Sequence, residues 1–235
     1  MNAIRYQLFL RRYQIDSTYI FSIMNYNKLN FDLYVENDLT SFKCTQALIP
    51  DAKELPLLLI TKNKEDSVFV NSENILKQLK FQKVLKKGIS YSAWEEQSLE
   101  FVRKEVKPLF DNIAKGPLKE FQLAYRNSAQ MTRTVSGDAY ISDLIGILKD
   151  WAKLCIADFS KVGYKKEQYL EILGNWEQRL QRQDFHGGKE PDLADFFMFA
   201  CIEPTWMFSR HYVDLNFHVR EWKNRMDIVK DQRSK

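Results

Sequence analysis

The sequence predicts a mixed α/β region over residues 1–82 and an all-helical region over residues 83–235. In the first region the hydrophobic period switches repeatedly between two and about 3.6 residues, which is typical of strands alternating with helices. After Lys80 the apolar residues recur only at helical spacing. A chain of 235 residues with 45% hydrophobic side chains is also long and apolar enough to bury a large core. We therefore expect two domains divided near residue 82.

Residues 1–82 predict the element order β-α-β-α-β-β-α. Apolar and more polar side chains alternate along residues 4–10, as in a half-buried strand. Phe31, Leu33 and Val35 share one face of a second strand, and Pro56 opens a third strand that continues into a hairpin. The predicted strands lie at about 4–10, 31–35, 55–60 and 68–70, and the predicted helices lie at about 17–29, at 42–48 and after residue 72.

Residues 83–235 contain five apolar stripes at helical spacing. The stripe at 196–208 is almost entirely apolar, which predicts a buried helix, and it is well short of the ~20 residues that a membrane span needs. We expect no transmembrane segment. The five helices are predicted around residues 102–113, 141–156, 169–180, 196–208 and 219–229.

Charge and cysteine content narrow the functional class. The 35 basic and 31 acidic residues leave a formal net charge of +4, too small and too evenly spread for a nucleic-acid partner. The three cysteines, Cys44, Cys155 and Cys201, are far apart and form no C-x-x-C pair, which favours a reducing compartment over a disulfide-stabilised secreted protein. The first glycine is Gly88, so the α/β region has no glycine-rich phosphate loop.

The N-terminal residues support two interpretations. The first fifteen residues contain no acid and carry Arg5, Arg11 and Arg12, a composition that suits a mitochondrial transit peptide. Their alternation at period two instead favours a strand of the folded protein. We expect them to belong to the fold.

The element order, the proline that opens the third strand and the helical second half resemble the glutathione S-transferase superfamily. The resemblance implies a thioredoxin-like N-terminal domain followed by a helical C-terminal domain, and it is strongest to the prostaglandin E synthase type 2 family. The residues that carry it are the segment from Phe185 to Asp195, with its Gly-Gly, Pro and Leu-Ala-Asp run, and Trp222 in the last helix. Asp192 and Asp195 have the spacing of a capping box, with Asp in place of Glu or Gln. We expect these carboxylates to start a helix rather than to transfer protons.

The catalytic thiol of the synthase family is missing. In that family a Cys-Pro-x-Cys motif lies between the first strand and the first helix, where the helix N-terminus favours a thiolate. Counted back without gaps from Phe31, the four motif positions are occupied by Gln14, Ile15, Asp16 and Ser17. None of these residues is a cysteine, and the other cysteines are expected to be core residues or to lie in a different helix. Thiol chemistry by the chain itself is therefore not expected.

A hydroxyl and part of a glutathione site remain. Ser17 or Tyr13 could stabilise the thiolate of bound glutathione, as in related transferases, although Ser17 is expected mainly to cap the first helix. The resemblance places Leu55 and Pro56 at the family's cis-proline. It also places Asn71 and Ser72 where the γ-glutamyl end of glutathione is held, and the same two residues can cap the following helix. We expect no cofactor, and glutathione is the one ligand that the resemblance leaves open.

His211, Asp214 and His218 would share a face if they lay on one helix, as metal ligands sometimes do. Without a cysteine or a longer ligand pattern, we interpret these histidines as solvated side chains and predict no metal site.

The leading functional hypothesis is a non-catalytic accessory subunit of a mitochondrial, respiratory-chain assembly, whose partners are other protein subunits. Its membership of such an assembly and its mitochondrial location come from the resemblance, with a cytoplasmic location as the alternative; a homodimer is less favoured. A second hypothesis is a glutathione-dependent transferase or isomerase that uses the hydroxyl of Ser17 or Tyr13. A third is a protein that binds glutathione without turnover.

Overall fold

The structure is a computed structural model that describes residues 4–11, 14–36, 43–85, 92–111, 166–208 and 217–230. The α/β region follows the predicted order β-α-β-α-β-β-α, and most boundaries agree with the predictions within a few residues. Its elements are β1 (Arg5–Arg11), α1 (Ile15–Tyr26), β2 (Phe31–Glu36), α2 (Lys43–Leu48), β3 (Leu57–Lys62), β4 (Glu65–Val70) and α3 (Ser72–Phe81).

The four strands form one mixed sheet in the order β2-β1-β3-β4. β1 is parallel to β2, whereas β3 is antiparallel to both β1 and β4. The parallel pair is connected through α1, as in a β-α-β unit, and the polar turn after Lys62 closes the predicted hairpin.

The central strands β1 and β3 are buried on both faces, so β1 is not the half-buried strand that its sequence predicts. Leu8 points into the main core, while Phe9 packs on the opposite face with Leu57 and Leu59, and both Leu8 and Phe9 are fully buried. In β2 the outcome is reversed, because Leu33 and Val35 are 41% and 51% exposed. β2 lies at the edge of the sheet, which explains why its apolar alternation overstates its burial.

The described helices of the second region are α4 (Ala93–Phe101), α5 (Lys166–Leu180), α6 (Leu193–Phe208) and α7 (Phe217–Lys230). α4 continues through a π-helical turn at Val102–Val106 and then as helix over residues 107–111. The helix predicted at 102–113 therefore begins about nine residues earlier than expected. The stripe predicted at 141–156 lies outside the described residues.

A single apolar core joins the two regions. α1 packs against α6, with Tyr19 stacked on Phe197 at 4.8 Å between ring centroids and Tyr26 against Phe196 at 5.3 Å. The fold class, a sheet-bearing region followed by a helical region, is confirmed. None of the described helices has the length and apolar character required to cross a membrane.

Candidate functional site

A cleft of about 740 Å³ lies between the two regions. Residues near the N-terminal ends of α1 and α3 line one side, and α4 lines the other. Basic side chains outnumber carboxylates among the lining residues by six to three. The basic residues are Arg11, Lys53, Lys77, Lys80, Arg103 and Lys107, and the acidic residues are Asp16, Glu54 and Glu73. The cleft is therefore suited to an anionic ligand.

The residues at the thiol position lie at the start of α1. Gln14 is the N-cap residue, and its side-chain amide donates a hydrogen bond to the carbonyl oxygen of Leu55 at 2.9 Å. Ser17 is 1% exposed; its Oγ accepts from the backbone N–H of Arg11 at 3.1 Å and donates to Oε1 of Gln14 at 2.8 Å. Neither side chain lines the cleft.

Ser17 was expected to cap α1, and this prediction is wrong. The helix begins two residues earlier, at Ile15, so that Ser17 lies inside its first turn. Its hydroxyl instead ties the end of β1 to Gln14. Because that hydroxyl proton is directed to Gln14, Ser17 does not present a donor to the cleft in this arrangement.

Asp16 connects three helices at the base of the cleft. Its Oδ1 accepts the hydroxyl of Ser72 at 2.8 Å, and its Oδ2 lies 2.8 Å from Nζ of Lys107. Lys107 also lies 3.9 Å from Asp111. Burial tends to lower the pKa of Lys107, but its hydrogen bond to Asp16 and the charges of Asp16 and Asp111 raise the pKa above its ordinary value. Lys107 is thus held as a cation.

The predicted glutathione cradle lies on the same side of the cleft as α3. Leu55, Pro56, Asn71 and Ser72 all line the cleft, and the Leu55–Pro56 peptide bond is cis. Asn71 has a positive φ of 66° and caps α3 by accepting the backbone N–H of Asn74 at 3.0 Å. The structure therefore brings these four predicted residues together beside Asp16.

A second polar cluster is fully buried in the helical region, and we call it the capping cluster: His186, Asp192, Asp195 and Trp222. Asp192 and Asp195 bond reciprocally to each other's backbone N–H groups at 3.0 and 2.9 Å, which is the capping-box geometry expected at the start of α6. Trp222 donates its indole N–H to Asp195 at 2.8 Å.

Sequence reasoning missed the role of His186 in this cluster. Its ring lies between the indoles of Trp94 and Trp176, with centroid distances of 5.5 and 5.6 Å. Its Nδ1 lies 2.6 Å from Asp192, and its Nε2 lies 2.8 Å from Oγ of Ser98. These contacts resemble a Ser-His-Asp triad, but all three side chains are buried and none lines the cleft.

The same cluster has the composition of a metal site, because ligand atoms of His186, Asp192 and Asp195 lie within 4.8 Å of one another. Each of these residues is, however, engaged by the hydrogen bonds that fix the start of α6. The cluster therefore stabilises the fold.

The remaining predicted site residues have different outcomes. Tyr13, His211 and Asp214 lie outside the described residues. His218 is 64% exposed on α7 and lies 3.8 Å from Glu177. Cys201 is fully buried, and burial raises the pKa of its thiol well above the ordinary value. A buried, protonated thiol is a core side chain, as expected.

Arg103 and Lys107 are among the cleft residues that sequence reasoning overlooked. They fall in a stretch that was considered only for its apolar stripe, and Asp16, the partner of Lys107 in the cleft, is distant in sequence. Their spacing of four residues was the available signal, because it places two cations on one side of a helix.

Comparison of the whole structure with solved structures identifies the fold. FzlA from C. crescentus matches with a TM-score of 0.62 and 17% identity, over 94% of this chain and 87% of that chain. Maleylacetoacetate isomerase from Anaeromyxobacter dehalogenans, solved with glutathione in its active site, matches with a TM-score of 0.52 and 14% identity, over 99% and 93% of the two chains. Glutathione S-transferase III in its apo form matches with a TM-score of 0.57 and 16% identity, over 94% and 91%.

The chain has the glutathione S-transferase-like fold. No protein-family model and no curated protein sequence matches it. The closer resemblance to the prostaglandin E synthase type 2 family is not tested by these comparisons and stays a prediction. Within this fold, the described cleft lies where α1, the cis-proline loop and α3 meet the helical region.

Proposed function

We propose that this chain binds glutathione in the cleft and acts as a glutathione-dependent transferase or isomerase. The observation that carries the proposal is the N-terminus of α3, where the hydroxyl of Ser72 already donates to a carboxylate, that of Asp16, at 2.8 Å. The first turn of a helix leaves backbone N–H groups without intrahelical partners and attracts anions. The α-carboxylate of a γ-glutamyl group has the chemistry that this position favours.

The charge and size of the cleft support the same ligand. Glutathione carries two carboxylates and one ammonium group at neutral pH, so its net charge is opposite to the basic excess among the lining residues. A volume of about 740 Å³ is within the usual range for a site that encloses a small molecule. The fold is shared with an isomerase that holds glutathione in its active site.

The thiol of the ligand, rather than a residue of the chain, would be the nucleophile. Nearby cations lower the pKa of a thiol and favour the thiolate, and we assign this role to Arg11 and Lys107. Asp16 acts in the opposite direction, although its charge is partly balanced by Lys107. In a transferase reaction the thiolate sulfur would bond to an electrophilic carbon as the leaving group departs, and the thiol proton would pass to solvent.

The proposal is tested by titrating the full chain with glutathione in a calorimeter. We expect saturable binding in which the ligand's carboxylate replaces Asp16 as the acceptor of the Ser72 hydroxyl, while Asp16 keeps its ion pair with Lys107. Ser72→Ala should then bind glutathione about tenfold more weakly, because a hydrogen bond to a charged group contributes about 1.5 kcal/mol. The matched control is Ser67→Ala, an exposed serine on β4 that does not line the cleft, and its affinity should be unchanged. Absence of glutathione binding, or an equal loss in both variants, would contradict the proposal.

The second candidate is a non-catalytic accessory subunit of a mitochondrial assembly. It is favoured by one observation: Gln14 stands at the thiol position and bonds to Leu55, so the chain offers an amide where the synthase family has a nucleophile. Only the resemblance to the synthase family supports a mitochondrial location and membership of a respiratory-chain complex. Bound glutathione with no conjugation of chlorodinitrobenzene would favour glutathione binding without turnover, whereas no glutathione binding at all would favour this second candidate.

A further inference from the structure

The wall of the cleft formed by α4 and its continuation carries two basic side chains and a leucine. Leu99, Arg103 and Lys107 lie four residues apart along α4 and its continuation, and all three line the cleft. The π-helical turn Val102–Val106 lies within this stretch. Four residues make slightly more than one turn of an α-helix but slightly less than one turn of a π-helix. The two angular offsets therefore oppose each other where the α-helix passes into the π turn, and the three side chains stay on one side of the helix.

The two cations of this wall differ in their contacts. Lys107 is bound to Asp16 at 2.8 Å and is about one-quarter exposed. Arg103 is exposed, and among the described residues it forms no ion pair within 4 Å. Its guanidinium group is therefore available to a ligand at the mouth of the cleft.

The contacts proposed for glutathione account for Lys107 but not for Arg103 and Leu99. Lys53, Lys77 and Lys80 lie before β3 and on α3, on the same side of the cleft as Asn71 and Ser72. Those residues are within the part of the cleft where the carboxylates of glutathione would lie. Arg103 faces them from the π-helical turn, four residues after Leu99 and four residues before Lys107. Because Lys107 is assigned to the sulfur of glutathione, a group attached to that sulfur would extend toward Arg103. A partly exposed leucine beside a guanidinium group suits a ligand with an apolar body and a terminal anion.

We propose that the second substrate of this cleft is a carboxylate-bearing electrophile, whose carboxylate is bound by Arg103 while its apolar part packs on Leu99. This inference rests on the proposed glutathione-binding function and specifies the substrate class of the same site. Arg103 is then a specificity-determining residue, because it selects the charged substrate over a neutral analogue of the same shape.

The test compares three ligands by calorimetry on the full chain: glutathione, S-benzylglutathione and S-(carboxybenzyl)glutathione. The two conjugates differ only in the terminal carboxylate. We expect the carboxylated conjugate to bind about fivefold more tightly than the neutral one, which is the upper range for a solvent-accessible ion pair. Arg103→Gln should reduce this ratio to near one and leave the affinity for glutathione within about twofold.

The matched control is Lys104→Gln, which removes the same charge from the next residue. Lys104 is 70% exposed, is paired with Glu100 at 2.6 Å and does not line the cleft, so the fivefold ratio should persist.

Equal binding of the two conjugates by a chain that binds glutathione would overturn this inference and leave the proposed function standing. Failure of all three ligands to bind would overturn the proposed function itself. Equal weakening of glutathione and of the carboxylated conjugate in Arg103→Gln would assign Arg103 to glutathione and overturn its role here.

Discussion

Asp195 is completely buried, and its carboxylate accepts four N–H hydrogen bonds. The donors are the backbone amides of His186, Gly187 and Asp192, at 2.9, 3.1 and 2.9 Å, and the indole of Trp222 at 2.8 Å. Burial, followed by the charge of Asp192, raises the pKa of Asp195, whereas the hydrogen bonds from His186, Asp192 and Trp222 lower it. Four donors directed at one carboxyl group favour its ionised form, because that form only accepts.

Asp195→Asn tests this arrangement. The asparagine NH₂ group would face two of the four donors, so two buried hydrogen bonds would be lost and replaced by donor-donor contacts. We expect the free energy of unfolding to fall by about 3 kcal/mol, as for other broken buried polar pairs. Urea denaturation followed by circular dichroism measures the change. Asp184→Asn, in which the replaced carboxylate is 68% exposed, should shift the free energy of unfolding by less than about 0.5 kcal/mol. Equal midpoints for the two variants would show that Asp195 is not essential to the capping cluster.

At the residue scale, the sequence predicted local bonds better than distant ones. The capping box of Asp192 and Asp195 depends on residues three apart, and it was foreseen. The contact of Asp195 with Trp222 crosses 27 residues, and that of His186 with Ser98 crosses 88. Neither contact has a local pattern, because the fold alone brings these residues together. The same reason explains why Arg103 and Lys107 were not recognised as cleft residues.

The segment before α6 depends on glycine at one position. A Cβ on Gly187 would lie 2.5 Å from the carbonyl oxygen of Glu190 and 3.1 Å from the backbone N of Asp192. These are backbone atoms, so the loop that presents the capping box would have to move. We expect Gly187→Ala to lower the free energy of unfolding by about 2 kcal/mol, in the range of overpacked sites. The change can be read from the urea midpoint.

Gly174 provides the matched glycine within α5. A Cβ there would meet no atom within 4 Å, and alanine is the better helix former. Gly174→Ala should therefore raise the free energy of unfolding by about 0.5–1 kcal/mol. If both glycine variants shifted stability in the same direction, the proposed steric role of Gly187 would be wrong.

At the element scale, strand and helix order could be predicted because hydrophobic period is a local property. The exposure of individual side chains was less predictable than the order of the elements. The alternation in β2 predicts a buried face, yet Leu33 and Val35 are exposed because that strand lies at the sheet edge. In β1 both Leu8 and Phe9 are buried because the sheet is covered on its two faces. The π-helical turn that follows α4 also has no recognisable sequence signal here.

At the scale of the whole molecule, fold and function were predictable to different degrees. The order of elements and a few motif residues were sufficient for the glutathione S-transferase-like fold, which the structural matches confirm. Function depends on which side chains reach the cleft. Gln14 and Ser17, on which the sequence argument concentrated, bond to each other and do not line it. Asp16, which was considered only as a charge unfavourable to a thiolate, joins α1, α3 and the continuation of α4.

The continuous core predicts that the two regions unfold as one cooperative unit. One buried cluster contains Leu8 of the sheet, Ile20 of α1 and Trp176 of α5, so exposing either region would expose the other's apolar surface. All five tryptophans lie after residue 82, at positions 94, 151, 176, 206 and 222, and their fluorescence therefore reports only the helical region. Hydrogen exchange at the amides of β1 and β3 reports the sheet.

We expect both probes to give the same urea midpoint. Phe196→Leu, at the contact with Tyr26, should lower the free energy of unfolding by about 1–2 kcal/mol, because Phe196 is 1% exposed and packs between the regions. The two urea midpoints should therefore fall together. Phe81→Leu is the control, since Phe81 is 82% exposed, and it should move neither midpoint. Two separate midpoints in the unmodified chain, or a shift of the fluorescence midpoint alone in Phe196→Leu, would mean that the shared core does not couple the regions. The cleft between them would then open at a lower free energy than that of global unfolding.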